Sequence, residues 1–574
     1  MNIASPLKQI EDELFDVIVI GGGIVGAGIA RDAALRGLKV ALFEKDDFAA
    51  GTSSTSTRLI HGGLRYLEMF DFGLVRQDLG EREILLRIAP HLVNPLRFVI
   101  PMWSRSLFYR LKLKIGMILY DLLSYDKTLP NHSFWSREET LKREPLLNPD
   151  GLQGALSYFD AQVPSTERLV MENILDARDH GASIWNHTRV IDVVREGNDI
   201  KGVKVVHERN GEAREVRGRL IINAAGPWLD SLVGTLLHKP SRRVRMTKGI
   251  HFTSPPASNH ALVLFARKDE RLFFVIPWQG YAWVGTTDTD YDDSPDLVRA
   301  NGEDVDYLRD SVESFLPNAD WQQVYYTTAG LRALVRKEGV SESEVSRKHA
   351  LVDYASTDGI NGIMAVVGGK ITAYRDIAED TVNLACAKLG LKIPSQTASV
   401  PLPGARLDVK TRGHDESLRA MRDLLYKDSE GLDISHEQID HLMSLYGMSA
   451  QHILSLVRQQ PELGRRIHPN YPDIVAQIYY AVAHEYCADV DDFLMRRTML
   501  GFTQDQGAAA LAPILDVMDM LCEWSDEERL IQEQRYEKEI AKSQAFRQEL
   551  KITPNEAANE ARSVASSEPH VLDD

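Results

Sequence analysis

The sequence is short of the features that mark several large protein classes. Cysteine is scarce: Cys386, Cys487 and Cys522 are the only ones in 574 residues. None forms a Cys-x-x-Cys pair, and no Cys/His cluster has zinc spacing, so neither a disulfide nor a structural metal is expected. No run reaches the ~18 uncharged apolar residues of a membrane-spanning helix. Met1–Phe15 carries Lys8, Glu11, Asp12 and Glu13 in place of a basic stretch followed by an apolar one, so it does not read as a signal peptide. Positive charge is outnumbered, with 66 Lys and Arg against 83 Asp and Glu. A net charge of −17 gives no pull toward nucleic acid as a partner. Internal repeats are lacking too. These absences leave a cytoplasmic globular protein, soluble or peripheral on a membrane.

What is present is 44% apolar residues in a chain too long for one compact core. Asp16–Ile20 is a β-branched run that reads as a buried strand. Ile24–Leu35 is Ala-rich and stops at Gly37, as a helix does, and Lys39–Phe43 is a second strand closed by Glu44. Together they make a βαβ unit of a parallel sheet. Arg189–Glu196, Lys201–Arg209 and Arg214–Asn223 read as an antiparallel meander, and Asn210-Gly211 predicts a type I′ hairpin turn. Lys248–Thr328 is rich in strands and aromatics and predicts a separate antiparallel sheet. Gly362–Gly369 reads as a buried strand leading into a helix that runs to Leu389. The chain from Ser417 to Leu550 is helical in pattern, and the tail 550–574 has a disordered composition.

Chemistry enters at Gly21-Gly22-Gly23-Ile24-Val25-Gly26. A Gly-x-Gly-x-x-Gly carries little weight alone. Here it follows a strand, opens a helix and precedes Glu44 at the end of the next strand, where a ribose hydroxyl is met. Gly21 suits the tight turn, Gly23 a close pyrophosphate, and Gly26 the packing of helix on strand. The helix N-terminus supplies N–H groups and partial positive charge.

Three later segments favour FAD over a nicotinamide cofactor. Thr52-Ser53-Ser54-Thr55-Ser56-Thr57-Arg58, running into His61-Gly62-Gly63, offers hydroxyls and amides to a diphosphate and ribityl chain. Asn223-Ala224-Ala225-Gly226-Pro227-Trp228 resembles the strand-ending motif of two-dinucleotide-binding flavoproteins. In that superfamily a strand end such as Gly368-Gly369-Lys370-Ile371-Thr372 faces the flavin pyrimidine.

His61-Gly62-Gly63-Leu64-Arg65-Tyr66-Leu67-Glu68, Ala89-Pro90-His91-Leu92, Ile276-Pro277-Trp278, Gly285-Thr286-Thr287-Asp288, Gly330-Leu331-Arg332 and Gly368–Arg375 then carry a narrower resemblance. They resemble the FAD-dependent, quinone-linked sn-glycerol-3-phosphate dehydrogenases, from about Asp16 to Asp380. The resemblance implies sn-glycerol 3-phosphate as substrate, FAD as hydride acceptor and membrane quinone as the final acceptor. It also implies Arg332, Lys370, Arg65, Tyr66, His251 and Arg347 as pocket residues. Always charged, Arg332 and Arg347 suit a phosphate or a developing alkoxide. Lys370 sits where substrate oxygen and flavin meet. His251 is the expected general base because an unperturbed imidazole titrates near neutrality, with His61 its competitor.

The expected fold class is α/β. A two-dinucleotide-binding-type FAD domain comes from segments about 15–100, 150–245 and 330–390. An antiparallel β substrate domain comes from about 100–150 and 246–330, and an α-helical C-terminal domain from about 401–545. That last domain carries no legible chemistry, and a homodimer is expected. Trp103–Leu123 interleaves Arg105, Arg110, Lys112 and Lys114 with aromatics and aliphatics, as a helix lying on an anionic membrane surface would. The same pattern also fits a helix packed on its own core. An oxygen-using oxidase, another small-molecule flavin oxidase and a flavin-binding redox sensor stay open as alternatives.

Overall fold

The computed structural model describes residues 13–63, 71–103, 107–336, 349–409 and 413–549, with Leu7 and Ile10 before them and only the backbone at 107–112. Arg65, Tyr66, Arg347 and the tail 550–574 lie outside the described residues.

Two sheets carry the fold. The first follows from the β-branched runs. Leu14–Ile20 pairs in parallel with Val40–Phe43 on one side and with Ala213–Asn223 on the other. Ser183–Trp185 and Ile363–Val367 extend it in parallel, and Ala350–Asp353 closes one edge antiparallel. Val17, Ile18, Val19, Ile221 and Ile222 are fully buried, as strands covered on both faces must be. Helix Ile24–Leu35, small-residue rich, lies against helices Thr166–Asp179 and Tyr374–Leu389.

The predicted meander forms from Thr188–Glu196, Asp199–His207 and the first half of Ala213–Asn223. Its second turn differs from expectation. Gly211 has φ +69°, but Asn210 has no positive φ, so the turn is not type I′. A wider loop closes it instead, with the Gly211 N–H donating to His207 O and the His207 N–H to Glu212 O.

The second sheet has ten strands. Val244–Ser254 lies between Tyr281–Gly285 and Tyr326–Val335, both antiparallel to it. Leu272–Trp278 and Ala261–Phe265 follow. Asn94–Trp103 joins Ala261–Phe265 in parallel, and Leu152–Gln162, Leu59–Ile60, Ser133–Ser136 and the short Thr289–Asp290, antiparallel to Val244–Ser254, complete the array. The otherwise antiparallel sheet thus takes in one parallel pair. From His414 onward the described chain is helical, with the isolated bridge Arg466–Ile474 its one β pairing, and its apolar side chains Leu442, Ile453, Leu454, Ile478, Phe493 and Ile514 share one core with Phe98, Trp278, Trp283 and Tyr326 of the second sheet. None of the described helices is long and apolar enough to cross a membrane.

Candidate active site

A cleft of about 580 Å³ runs between the two sheets, within the size range of small-molecule sites. The strand–turn–helix Leu14–Leu35 forms one end. Gly21 takes φ +108°, and a Cβ on Gly26 would stand 1.9 Å from Gly21 O, so helix and turn can approach only through a glycine. Gly23 has no side chain to cap the helix; the Ser53 hydroxyl accepts the Ile24 N–H at 2.9 Å in its place. The Glu44 carboxylate accepts the Gly22 N–H at 2.6 Å and the Asp46 N–H at 2.9 Å. Burial pushes its pKa up, against the pull of those two amides. Glu44 lines the cleft, and its remaining acceptor capacity suits a ribose hydroxyl.

The middle is built from the hydroxyl run. Ser56 accepts the Arg58 N–H, and Thr52 donates to Leu331 O at 2.8 Å, tying the loop to the second sheet. Gly249 and Gly330 are paired across two strands of that sheet. A Cβ on Gly330 would meet Thr55 Oγ1 at 2.1 Å, and one on Gly249 would meet the Arg332 guanidinium at 2.5 Å. This glycine floor brings the loop down onto the sheet and lets Arg332 lean over Gly249.

Three candidate residues converge beyond that floor. Arg332 donates to Thr286 Oγ1 at 3.0 Å, Thr287 O at 3.1 Å and Asp288 Oδ1 at 3.0 Å. The Gly285–Asp288 motif is therefore its bracket. His251 is buried, with Nε2 3.0 Å from Thr57 Oγ1 and the ring stacked on Trp283. Burial first, then Arg332 and Arg58, hold its pKa well below the ordinary imidazole value, so it is neutral but a weaker base than the near-neutral imidazole expected from the sequence. Lys370 pairs with Asp78 of helix Phe72–Ile88. Asp78 is buried and pushed up to about 6 by burial, with Lys370 pulling the other way.

Gly21, Gly23, Glu44, Thr52, Ser53, Ser56, His61, Ala225, Gly226, Gly369, Ile371 and Thr372 all line this cleft with His251, Arg332 and Lys370. Gly26 and Gly63 do not; Gly26 acts through packing, and Gly63 is buried with φ +70°. His61 is held by its backbone, whose N–H donates to Thr372 Oγ1 at 3.1 Å.

Three residues escaped the sequence reading, Asp78, Glu167 and Trp283, and Thr57 was read only as part of the hydroxyl run and not as the partner of His251. Arg58 makes two 2.7 Å bonds to Glu167 and lies over Trp278, Trp283 and Phe502. Glu167 and Asp78 each lie on a helix of ordinary composition, and no local pattern marks them.

The model of the family described as FAD dependent oxidoreductase matches residues 16–375, and that of the C-terminal domain of alpha-glycerophosphate oxidase matches residues 395–529. A glycerol-3-phosphate dehydrogenase of Synechocystis is 41% identical over 550 residues, covering 92% of this chain and 96% of the relative. The chain belongs to the FAD-dependent glycerol-3-phosphate dehydrogenase family. An aerobic glycerol-3-phosphate dehydrogenase of Staphylococcus saprophyticus is 33% identical, with 93% and 95% of the two chains covered. The X-ray structure of a glycerol-3-phosphate dehydrogenase from Bacillus halodurans, complexed with FAD, is similar with a TM-score of 0.76 at 26% identity, covering 93% and 96%.

Like the rest of this glycerol-3-phosphate dehydrogenase family, the chain is an oxidoreductase with FAD as its cofactor. The cleft fits that group on independent grounds. One end is a glycine turn under a helix N-terminus, which accommodates a diphosphate, and the hydroxyls of Ser53, Ser56 and Thr57 and the strand end Gly368–Thr372 line the cleft farther along.

Proposed function

We propose that the protein oxidises sn-glycerol 3-phosphate to dihydroxyacetone phosphate and delivers the electrons to a membrane quinone. FAD, once bound, supplies the two-electron acceptor for the hydride on the substrate's central carbon. Gly21, Gly23, Glu44, Ser53, Ser56 and Ala225 would hold its dinucleotide part, and Gly369, Ile371 and Thr372 would hold its ring. His251 takes the proton from the substrate's central hydroxyl. Arg332 binds the phosphomonoester, and Lys370 orients the reacting oxygen. The observation that carries this reading is the placement of a neutral, buried imidazole beside a bracketed guanidinium over the Gly249–Gly330 floor.

The quinone half is supported by helix Leu107–Leu123. Its inner face buries Met117 and Tyr120 in the core. Its outer face leaves Ile115, Ile118 and Leu122 more than half exposed, with Tyr125 just beyond at 78% exposure. An apolar stripe with exposed Lys114 beside it suits the interface of an anionic bilayer, where quinones reside.

The test is spectroscopic. Anaerobic glycerol 3-phosphate should bleach the bound flavin, and a short-chain quinone should restore its colour much faster than air. Flavin that stays yellow with the substrate sinks the reaction; faster recovery in air sinks the quinone.

A further inference from the structure

The helical C-terminal domain has a place in the fold that its sequence does not advertise. Residues 489–497 form the Val490–Asp492 turn followed by one π-helical turn, Phe493–Arg497. Adjacent arginines on an α-helix diverge by about 100°. Here the wider π turn lets both reach one carboxylate. Arg496 Nε donates to Asp47 Oδ2 at 2.7 Å, and Arg497 donates to Asp47 Oδ2 at 2.7 Å and to Oδ1 at 2.9 Å. Asn186 Nδ2 adds a bond to Oδ1 at 3.0 Å. Asp47 is buried, and Arg496 with Arg497 holds its carboxyl below the ordinary range against its burial.

Asp47 belongs to the loop that carries Glu44. Between them, the Asp46 N–H bonds to Glu44 itself and Asp46 O accepts the His187 N–H at 2.8 Å. On the other side, Phe48 lies so close to the glycine turn that a Cβ on Gly22 would stand 2.7 Å from its ring, and the Ala49 N–H donates to Gly22 O at 3.1 Å. Phe48 also packs edge-on against Tyr486 of the C-terminal domain. Farther along the same loop, Phe502 of that domain lies 5.2 Å from the Arg58 guanidinium. The loop that lines the cofactor cleft on one face is thus gripped by the C-terminal domain on the other, at Asp47, Phe48 and Arg58.

A metal does not explain the cluster. Asp47, His187 and Asp492 stand within ligand distance of one another. Their carboxylates are occupied by Arg496 and Arg497, with Arg496 also bonding Asp491 and Asp492. His187, raised to about 9 chiefly by Asp492 and Asp489 against its burial, has its Nε2 engaged with Asp492 Oδ2 at 3.2 Å.

We infer that Arg496 and Arg497 are positioning residues for FAD: by clamping Asp47 they fix the Glu44–Ala49 segment, so the C-terminal domain holds the dinucleotide end of the cofactor site without touching the cofactor. The clamp is aimed at the dinucleotide end of the cleft, away from His251, Arg332 and Lys370. Loosening it therefore lowers FAD affinity and leaves turnover of the loaded enzyme nearly intact.

The experiment uses the full chain as Asp47→Asn and as Arg496→Gln, stripped of flavin and titrated with FAD by fluorescence quenching in the absence of substrate. Asp47→Asn should raise the FAD dissociation constant at least about ten-fold and Arg496→Gln about three-fold, since tenfold corresponds to 1.4 kcal/mol. At saturating FAD, both should keep kcat and KM within about twofold of the unaltered protein. Circular dichroism and the melting temperature of the flavin-free forms show whether each variant is folded. A folded variant that binds FAD as tightly as the unaltered protein overturns the inference, and if Asp47→Asn does not fold, Arg496→Gln decides alone. A variant with weakened FAD binding but collapsed kcat at saturation would place the clamp in the chemistry and overturn it equally. Binding is read without substrate, so failure of the glycerol 3-phosphate reading would leave this result untouched.

Discussion

His251 lies nearly parallel to Trp283, with ring centroids 5.1 Å apart and planes 13° apart. The stack is possible because residue 285, paired with His251 across the strands, is glycine; a Cβ there would stand 2.2 Å from the imidazole. Trp283 fixes the plane of the ring, and Thr57 fixes the direction of Nε2. Arg332 and Arg58 add positive charge that resists protonation.

A pH profile follows from that setting. A base must be unprotonated to act, so activity is lost as pH falls through the pKa of His251. That pKa lies well below the usual imidazole value. The acid limb of kcat/KM should accordingly lie well below the ~6.5 of a free imidazole. His251→Gln should lower kcat by roughly 10²–10⁴ with a smaller change in KM. An acid limb at 6.5, or a variant with full kcat, would remove His251 from the role of base.

Arg332 bonds three oxygens of the Thr286–Asp288 segment, and only a planar fork can keep those bonds while facing a phosphate. Arg332→Lys preserves charge and loses the fork. It should cost at least about tenfold in kcat/KM, more than a charge-only role would allow. Steady-state kinetics decide, and a lysine variant equal to the unaltered enzyme would refute the clamp.

Asp78 makes a stability prediction. Its folded pKa of about 6 lies above the usual carboxyl value near 4. The folded state therefore holds the proton more tightly, so stability is greatest below about pH 4 for this group and is lost as pH rises toward 6. The gross size is about 3 kcal/mol. Melting temperatures measured from pH 4 to 7 should show this slope in the unaltered protein and lose it in Asp78→Asn. Equal slopes in both would mean that the carboxyl does not titrate there.

The outer face of Leu107–Leu123 bears on localisation. Ile115→Glu with Ile118→Glu places two acids where apolar side chains now meet solvent, so the fold should be unaffected while binding to anionic vesicles drops several-fold. Co-flotation of the double variant at the level of the unaltered chain would rule this face out as the membrane contact.

How much of this was legible beforehand varied with the range of the forces involved. Ile24–Leu35 was readable to the residue, because an Ala-rich helix between a glycine turn and Gly37 is specified by its own neighbours. The Asn210-Gly211 turn was misjudged as type I′, because its backbone is set by bonds between His207, Gly211 and Glu212 that a dipeptide preference does not contain. The amphipathic helix was readable as a pattern. Which of its apolar residues enter the core, Met117 and Tyr120, and which remain outside depended on the surface it meets.

The sequence alone determined the glycine turn, Glu44 at the next strand end and the hydroxyl run, since each rests on spacing along one strand or loop, whereas His251, Arg332 and Lys370 entered through resemblance to a family. Tertiary structure alone decided that Asp78 faces Lys370, that Glu167 holds Arg58, and that Arg496 and Arg497 reach back to Asp47. Those partners stand far apart in the chain, and burial away from water makes each charge require its counter-ion. A linear pattern records which charges exist, whereas only the packed fold assigns their pairs.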